Sequence, residues 1–266
     1  MNKKQEKSVG KPDHLNWQYN EEPGQKVEGF PWGPHKVPVY LDFEGISISF
    51  EKCREGLSYR REDSFGATEK TIIVERGKLM FSPVEPFHTP VALSNHLFIE
   101  LEHPVMLKPR TTHSLMVTFP LELAVAFSSG KPGGSDVFDI FTLSRSKFTL
   151  YGSIRTGVVC KYWKSPVYKD VPAVNPLRQG VMKIDFNNQM AKWVEVQKVV
   201  FNAQGMKIYY SPYLVSLRAT VKISSEINAE TGFIDQPLQG GMSKAPELFS
   251  TRFLKLPGRT AMEEGY

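Results

Sequence analysis

"HLFIELEHPV", residues 96–105, decides the fold class. In an extended chain Leu97, Ile99 and Leu101 fall on one side, and Phe98, Glu100 and Glu102 on the other. A period of two with one apolar side marks a strand that buries one face against a core. The same texture recurs from Val37 to Ile223. "ISISFEK", "KTIIVER", "HSLMVTFPLELAVAF", "VFDIFTL", "KFTLYGS", "GVVCKYWK", "GVMKIDFNN", "KWVEVQKVVFNA" and "LVSLRATVKIS" are short runs rich in β-branched and aromatic residues, separated by Gly, Pro and Asn. No dozen consecutive residues carry a helical period of 3.6. The reading is an all-β protein of about ten to twelve strands, arranged as an antiparallel β-sandwich or as two stacked β units.

Around these strands the chain divides by composition. Residues 1–34 read as an N-terminal extension, polar and closing in "GFPWGPHKVP". Prolines at 31, 34 and 38 forbid a regular helix there. Trp17, Phe30 and Trp32 are its candidates for contact with the body. A first β unit is expected over 35–145 and a second over 146–224. Residues 225–266 lose the alternation and read as an extended C-terminal tail, with Phe249, Phe253, Leu254 and Leu256 able to dock as an arm. "SSGKPGGS" (128–135) reads as a turn or loop, and "SPVYKDVPAVNPLRQG" (165–180) as a long connection.

Hydrophobic residues make up 41% of the chain and charged residues 23%, the profile of a folded soluble protein. The net charge of +5 is unevenly spread: residues 1–34 are neutral, 224–266 carry −2, and the middle carries +7. Residues 146–170 alone hold five basic side chains against one acidic. A local basic region attracts an acidic partner, anionic headgroups or nucleic acid, but the total is too mild for a dedicated nucleic-acid binder. The two cysteines, Cys53 and Cys160, belong to no CxxC or Cys/His pattern. The basic N-terminus has no apolar run behind it. The longest apolar run, "LMVTFPLELAVAF", is too short to span a bilayer and contains Pro120 and Glu122. The chain is therefore expected to be cytoplasmic, with reduced thiols, and not membrane-spanning.

Catalytic signatures are missing. His88, His96, His103 and His113 have no metal-ligand spacing, and no phosphate-loop or nucleophile-elbow motif occurs. No metal, cofactor or catalytic residue is assigned. "YRRED" (59–63) reads as a solvated strand end, and the carboxylates of "IELEH" as an exposed face.

"LYGSIRTGVVCKYWKSPVY" (150–168) is the richest stretch chemically. Alternation sets Val158, Cys160 and Tyr162 against Val159, Lys161 and Trp163. Val158 and Cys160 are expected in the core. Tyr151, Arg155, Lys161, Trp163 and Lys164 are expected to form one exposed basic–aromatic patch suited to a protein contact. A small ligand bound by stacking and charge, or simply a strand with a basic edge, remain the other readings.

"FTLYGSIRTGVVCKYWKSPVY", "GVMKIDFNN", "WVEVQKVVFNAQGMKIYY" and "VSLRATVKI", with "DFEGISISFEK" and "SPVEPFHTP" before them, resemble an archaeal family known only as a domain of unknown function. The resemblance spans roughly 36–224. It implies no catalytic residues, and it implies a membrane-channel accessory role as one candidate partnership. The functional expectation is a non-enzymatic binding or assembly module that contacts a protein partner or a second copy of itself. The rival is a hydrolase or isomerase acting on a sugar or a phosphorylated metabolite, its catalytic groups contributed by separate strands.

Overall fold

The computed structural model describes residues 18–22, 25–28, 30, 32–43, 45–73, 78–89, 93–128, 135–248, 259–262 and 265–266. The first strands are β1 (Gln18–Glu22), β2 (Gln25–Glu28), β3 (Gly33–His35), β4 (Val39–Phe43), β5 (Ile46–Cys53), β6 (Gly56–Asp63), β7 (Gly66–Ile72) and β8 (Lys78–Val84). Next come β9 (His96–Leu107), β10 (Thr111–Pro120), β11 (Glu122–Ser128), β12 (Ser135–Phe141), β13 (Lys147–Tyr151), β14 (Val158–Ser165) and β15 (Gln179–Asn188). The last are β16 (Val194–Asn202), β17 (Tyr209–Ser211), β18 (Leu214–Ile223), β19 (Ala229–Ile234), β20 (Ser243–Lys244) and β21 (Arg259–Met262). Among the described residues the helical structure is one 3₁₀ turn, Ala203–Gly205, and no helix is long and apolar enough to cross a membrane. The protein is all-β.

Two pairs of sheets enclose two cores. In the first, the meander β4-β5-β6-β7 faces the sheet β12-β11-β8-β3 across Leu41, Ile48, Phe50, Phe81, Val125 and Phe127. In the second, the sheet β13-β14-β9-β16 faces the sheet built on β10-β15-β18, and Leu97, Ile99, Phe119, Ile184, Phe201 and Leu217 fill the space between. The alternation that marks β9 is therefore real burial: Leu97, Ile99 and Leu101 all lie in this core.

The boundary expected at residue 145 does not follow the sheets. β9 and β10 precede it, yet both pair with strands that follow it: β9 with β14 and β16, β10 with β15. The chain enters the second sandwich at β9, returns to the first at β11, and leaves again after β12. Most pairings are antiparallel, but β14 runs parallel to β9 and β15 parallel to β18. Parallel neighbours need a crossover. Between β15 and β18 it is supplied by β16, a strand of the opposing sheet.

Both ends are more structured than their composition suggests. β19 pairs with β18, β21 with β19, and β20 with β17, so the segment expected as an extended tail completes the second sandwich. Short strands interrupted by "QPLQGG" carry too few residues for a period to show. Phe249, Phe253, Leu254 and Leu256, Trp17, and most of the 128–135 loop lie outside the described residues. At the other end Phe30 is buried in the first core, and the Trp32 ring lies 6.3 Å from that of Phe30 and 6.2 Å from that of Tyr210. Trp32 thus touches both cores.

"YRRED" is not a solvated strand end. It lies in β6 and turns Tyr59, Arg61 and Asp63 inward while Arg60 and Glu62 face out. The reason is Asp139 on β12. Tyr59 Oη donates to Asp139 Oδ2 at 2.6 Å, Arg61 Nε donates to the same oxygen at 2.9 Å, and Lys70 Nζ reaches Oδ1 at 3.1 Å. Arg61 also pairs with Asp63, and its guanidinium sits 4.6 Å above the Phe141 ring. Burial alone would raise the Asp139 carboxyl. The Tyr59 hydrogen bond and the two cations outweigh it and hold the group below the ordinary aspartate value of 3.8. A carboxyl depressed on folding contributes stability that is complete above its unfolded pKa and is lost as pH falls through its folded pKa. Asp139→Asn is therefore expected to cost about 2 kcal/mol at neutral pH. In urea unfolding, the gap from wild type should close as pH drops below 3.8. A gap independent of pH would show that the carboxylate charge contributes nothing.

Candidate functional site

β13 and β14 form an antiparallel hairpin in which Phe148 opposes Lys161, Leu150 opposes Val159 and Tyr151 opposes Val158. Its turn is tight. Gly157 N donates to Ser153 O at 2.7 Å, and a Cβ on Gly157 would stand 2.5 Å from that same oxygen. β14 continues the sheet into β9, whereas β13 is its outer strand, its far edge unpaired among the described residues.

Alternation separates two faces of β14, but the expected assignment is reversed: Lys161, Trp163 and Ser165 are in register with the core-facing Leu97, Ile99 and Leu101 of β9, and Trp163 and Ser165 meet Thr118 of the opposing sheet. At the start of the hairpin both faces are bare, and Val158, expected in the core, is exposed beside Val159. In the middle both faces are covered. Cys160 is buried as expected, and burial pushes its thiol up to about 11 despite a backbone hydrogen bond at Tyr151 that lowers it. Such a thiol is protonated and inert at neutral pH.

The five residues expected in one exposed patch do not share a surface. Arg155 and Lys164 are exposed. Tyr151 is buried: its ring meets Phe98 at 6.3 Å, Lys198 lies over it at 5.6 Å, and its hydroxyl donates to Gly265 O at 2.9 Å. Trp163 is half-buried against the second core, and its indole N–H donates to Thr118 Oγ1 at 2.9 Å. Lys161 is the largest departure. Its side chain is 5% exposed and its Nζ donates to Glu122 Oε1 at 2.9 Å and to Thr89 O at 3.3 Å. Glu122, with no exposure at all, also accepts from the backbone N–H groups of His88 at 2.8 Å and Thr89 at 3.2 Å. Glu122 opens β11, next to the joint where the chain leaves the second sandwich for the first. A carboxylate there must be paired, and Lys161 is the cation within reach.

What lies bare on the hairpin is apolar. Phe148 is 38% exposed, Leu150 41%, and Ile154 at the turn 95%. Phe148, Leu150 and Val159 form a strip on one face of the hairpin, while the exposed Lys147 and Lys164 lie on the other face and Arg155 lies at the turn. The sequence reading places "KFTLYGS" among the strands, expects its Tyr151 in the exposed patch, and assigns no role to Phe148 or Leu150. Periodicity distinguishes the faces of a strand, but it says nothing of whether a second sheet lies above them.

Removing either half of a buried ion pair strands the other. Lys161→Ala is expected to destabilise the fold by about 3–5 kcal/mol. Lys161→Met combined with Glu122→Gln should recover most of that loss, because the glutamine still accepts from His88 and Thr89. The check is a double-mutant cycle by chemical denaturation. Additive losses would mean that the pair is not coupled. Trp163→Ala, by the same logic, should lower stability by about 3 kcal/mol, since it opens the edge of the core.

The architecture can be set against known proteins. No curated protein and no solved structure matches the chain. One family matches, described as protein of unknown function (DUF432), over residues 31–263. That span is wider at both ends than the resemblance read from sequence. It takes in β3 to β21, and so both sandwiches. The chain belongs to the DUF432 family.

Proposed function

We propose that this protein is a non-enzymatic binding and assembly module of the cytoplasm that takes an extended, acidic segment of a partner protein onto the open edge of β13. The observation that carries this reading is an edge strand with its apolar side chains bare. Proteins normally blunt or cover such edges, because an exposed strand pairs with whatever strand it meets. Here Phe148 and Leu150 stand uncovered on β13, with Val159 beside them. An added strand would take main-chain hydrogen bonds from the edge and place alternate apolar side chains on the strip.

Charge selects the occupant. Residues 146–170 carry five basic side chains against one acidic, and Lys147, Arg155 and Lys164 are all exposed. A second copy of the same edge would bring these cations against themselves, whereas an acidic segment would complement them. The non-enzymatic reading is supported by the state of the hairpin's reactive groups: Lys161 is committed to Glu122, and the Cys160 thiol is held protonated. Two unpaired thiols support a reducing compartment.

Selection of displayed random peptides on the purified protein tests the proposal. Sequences that alternate apolar with acidic residues should be enriched, should protect the outward amides of β13 from hydrogen exchange, and should be lost in Phe148→Glu/Leu150→Glu with the melting temperature nearly unchanged. Enrichment of basic peptides, or binding indifferent to that double substitution, would refute it. A concentration-dependent dimer abolished by the same substitutions would assign the edge to a second copy instead.

A further inference from the structure

A cleft of about 600 Å³ lies away from the hairpin edge, between the tip of the β6–β7 hairpin and the end of β12 with the residues 142–146 that follow it, and Thr89 also contributes to its lining. Its size suits a metabolite. Of the charged residues that line it, Arg61 and Asp63 pair with each other, and Arg61 is further tied to Asp139 behind the wall, which also takes Lys70. Arg145 is different. It lines the cleft, is exposed, and makes no ion pair or hydrogen bond among the described residues. The site therefore carries one uncompensated positive charge, on a side chain whose planar fork suits phosphate.

The second observation is an orphan. The Thr89 hydroxyl is buried and has no hydrogen-bond partner among the described residues. Its backbone is engaged on both sides, with N–H on Glu122 and carbonyl on Lys161. Buried polar groups left unmade are rare and need a reason. Beside it Ser146 Oγ makes only a 3.5 Å contact to Thr89 O, at the weak limit of a hydrogen bond. At the cleft's other wall the Phe65 ring is 66% exposed. Arg145, the weakly bonded Ser146 and the exposed Phe65 ring thus line one cleft, with the unpartnered Thr89 hydroxyl buried in its wall.

We propose that this cleft binds a small phosphate ester. The phosphate lies on Arg145 and the Thr89 and Ser146 hydroxyls, and the body of the molecule extends toward Phe65. A nucleotide and a sugar phosphate share this chemistry, and they differ in whether a flat base is present to stack on the ring.

Isothermal titration of the full chain with adenosine monophosphate, ribose 5-phosphate, inorganic phosphate and adenosine tests the assignment. Saturable binding of one or both esters is expected, stronger than that of inorganic phosphate, with none for adenosine. Arg145→Ala should weaken ester binding at least about tenfold, as expected on losing a charge-assisted contact. Thr89→Val should weaken it several-fold, and should leave the melting temperature of the free protein unchanged or raised, because it removes a hydroxyl that has no partner. Phe65→Ala should weaken the nucleotide alone if the base stacks there, and neither ester if the occupant is a sugar phosphate. Failure of both esters to bind, binding no better than that of inorganic phosphate, or binding unaffected by Arg145→Ala and Thr89→Val would each overturn the proposal.

Discussion

The ion pair between Lys161 and Glu122 is the constraint around which the two sandwiches are arranged. Glu122 stands where the chain crosses from one to the other, and Lys161 stands on β14 of the second. A charge held in a low-dielectric interior tolerates few positions for its counterion. The pair therefore specifies where β14 lies relative to β11, whatever its net contribution to stability. Apolar contacts alone would permit sliding. A carboxylate with three donors converging on it does not.

The same pair reaches the cleft. Thr89, in the wall of the cleft, is held by its N–H on Glu122 and by its carbonyl on Lys161. On the neighbouring part of β14, Ser165 and Trp163 bind Thr118, and so tie the strand to β10 of the opposite sheet. A single strand thus fixes three things: the joint between sandwiches, the packing of the second core, and one wall of a cavity. Its polar residues are structural because they are the points of attachment.

How much of this was legible follows from the range of each interaction. "HLFIELEHPV" announced its fold class because amphipathic alternation is local, and the structure buries the residues that it indicated. "GVVCKYWK" misled because a lysine is ordinarily solvated, and the partner that buries this one lies 39 residues away. A hint was present in Glu122, a charge within an apolar run, but nothing in the run names its counterion. "YRRED" failed in the same way: its inward face depends on Asp139, 78 residues from Arg61. The cleft was invisible altogether, since its walls come from segments far apart in the chain. Likewise, the open edge of β13 is a property of sheet order, which periodicity does not encode.

The interleaving of the sandwiches has a consequence for how this protein can be divided. β9 and β10 belong to the second sandwich but are inserted between β8 and β11 of the first. No single cut in the polypeptide separates one sandwich from the other, and a fragment ending after β12 would hold two long strands with their neighbours absent. A division after β12 would keep every strand of the first sandwich together but leave β9 and β10 without β14, β15 and β16, so it would break the second core. The second sandwich thus depends on the whole chain, whereas the strands of the first are complete by the end of β12.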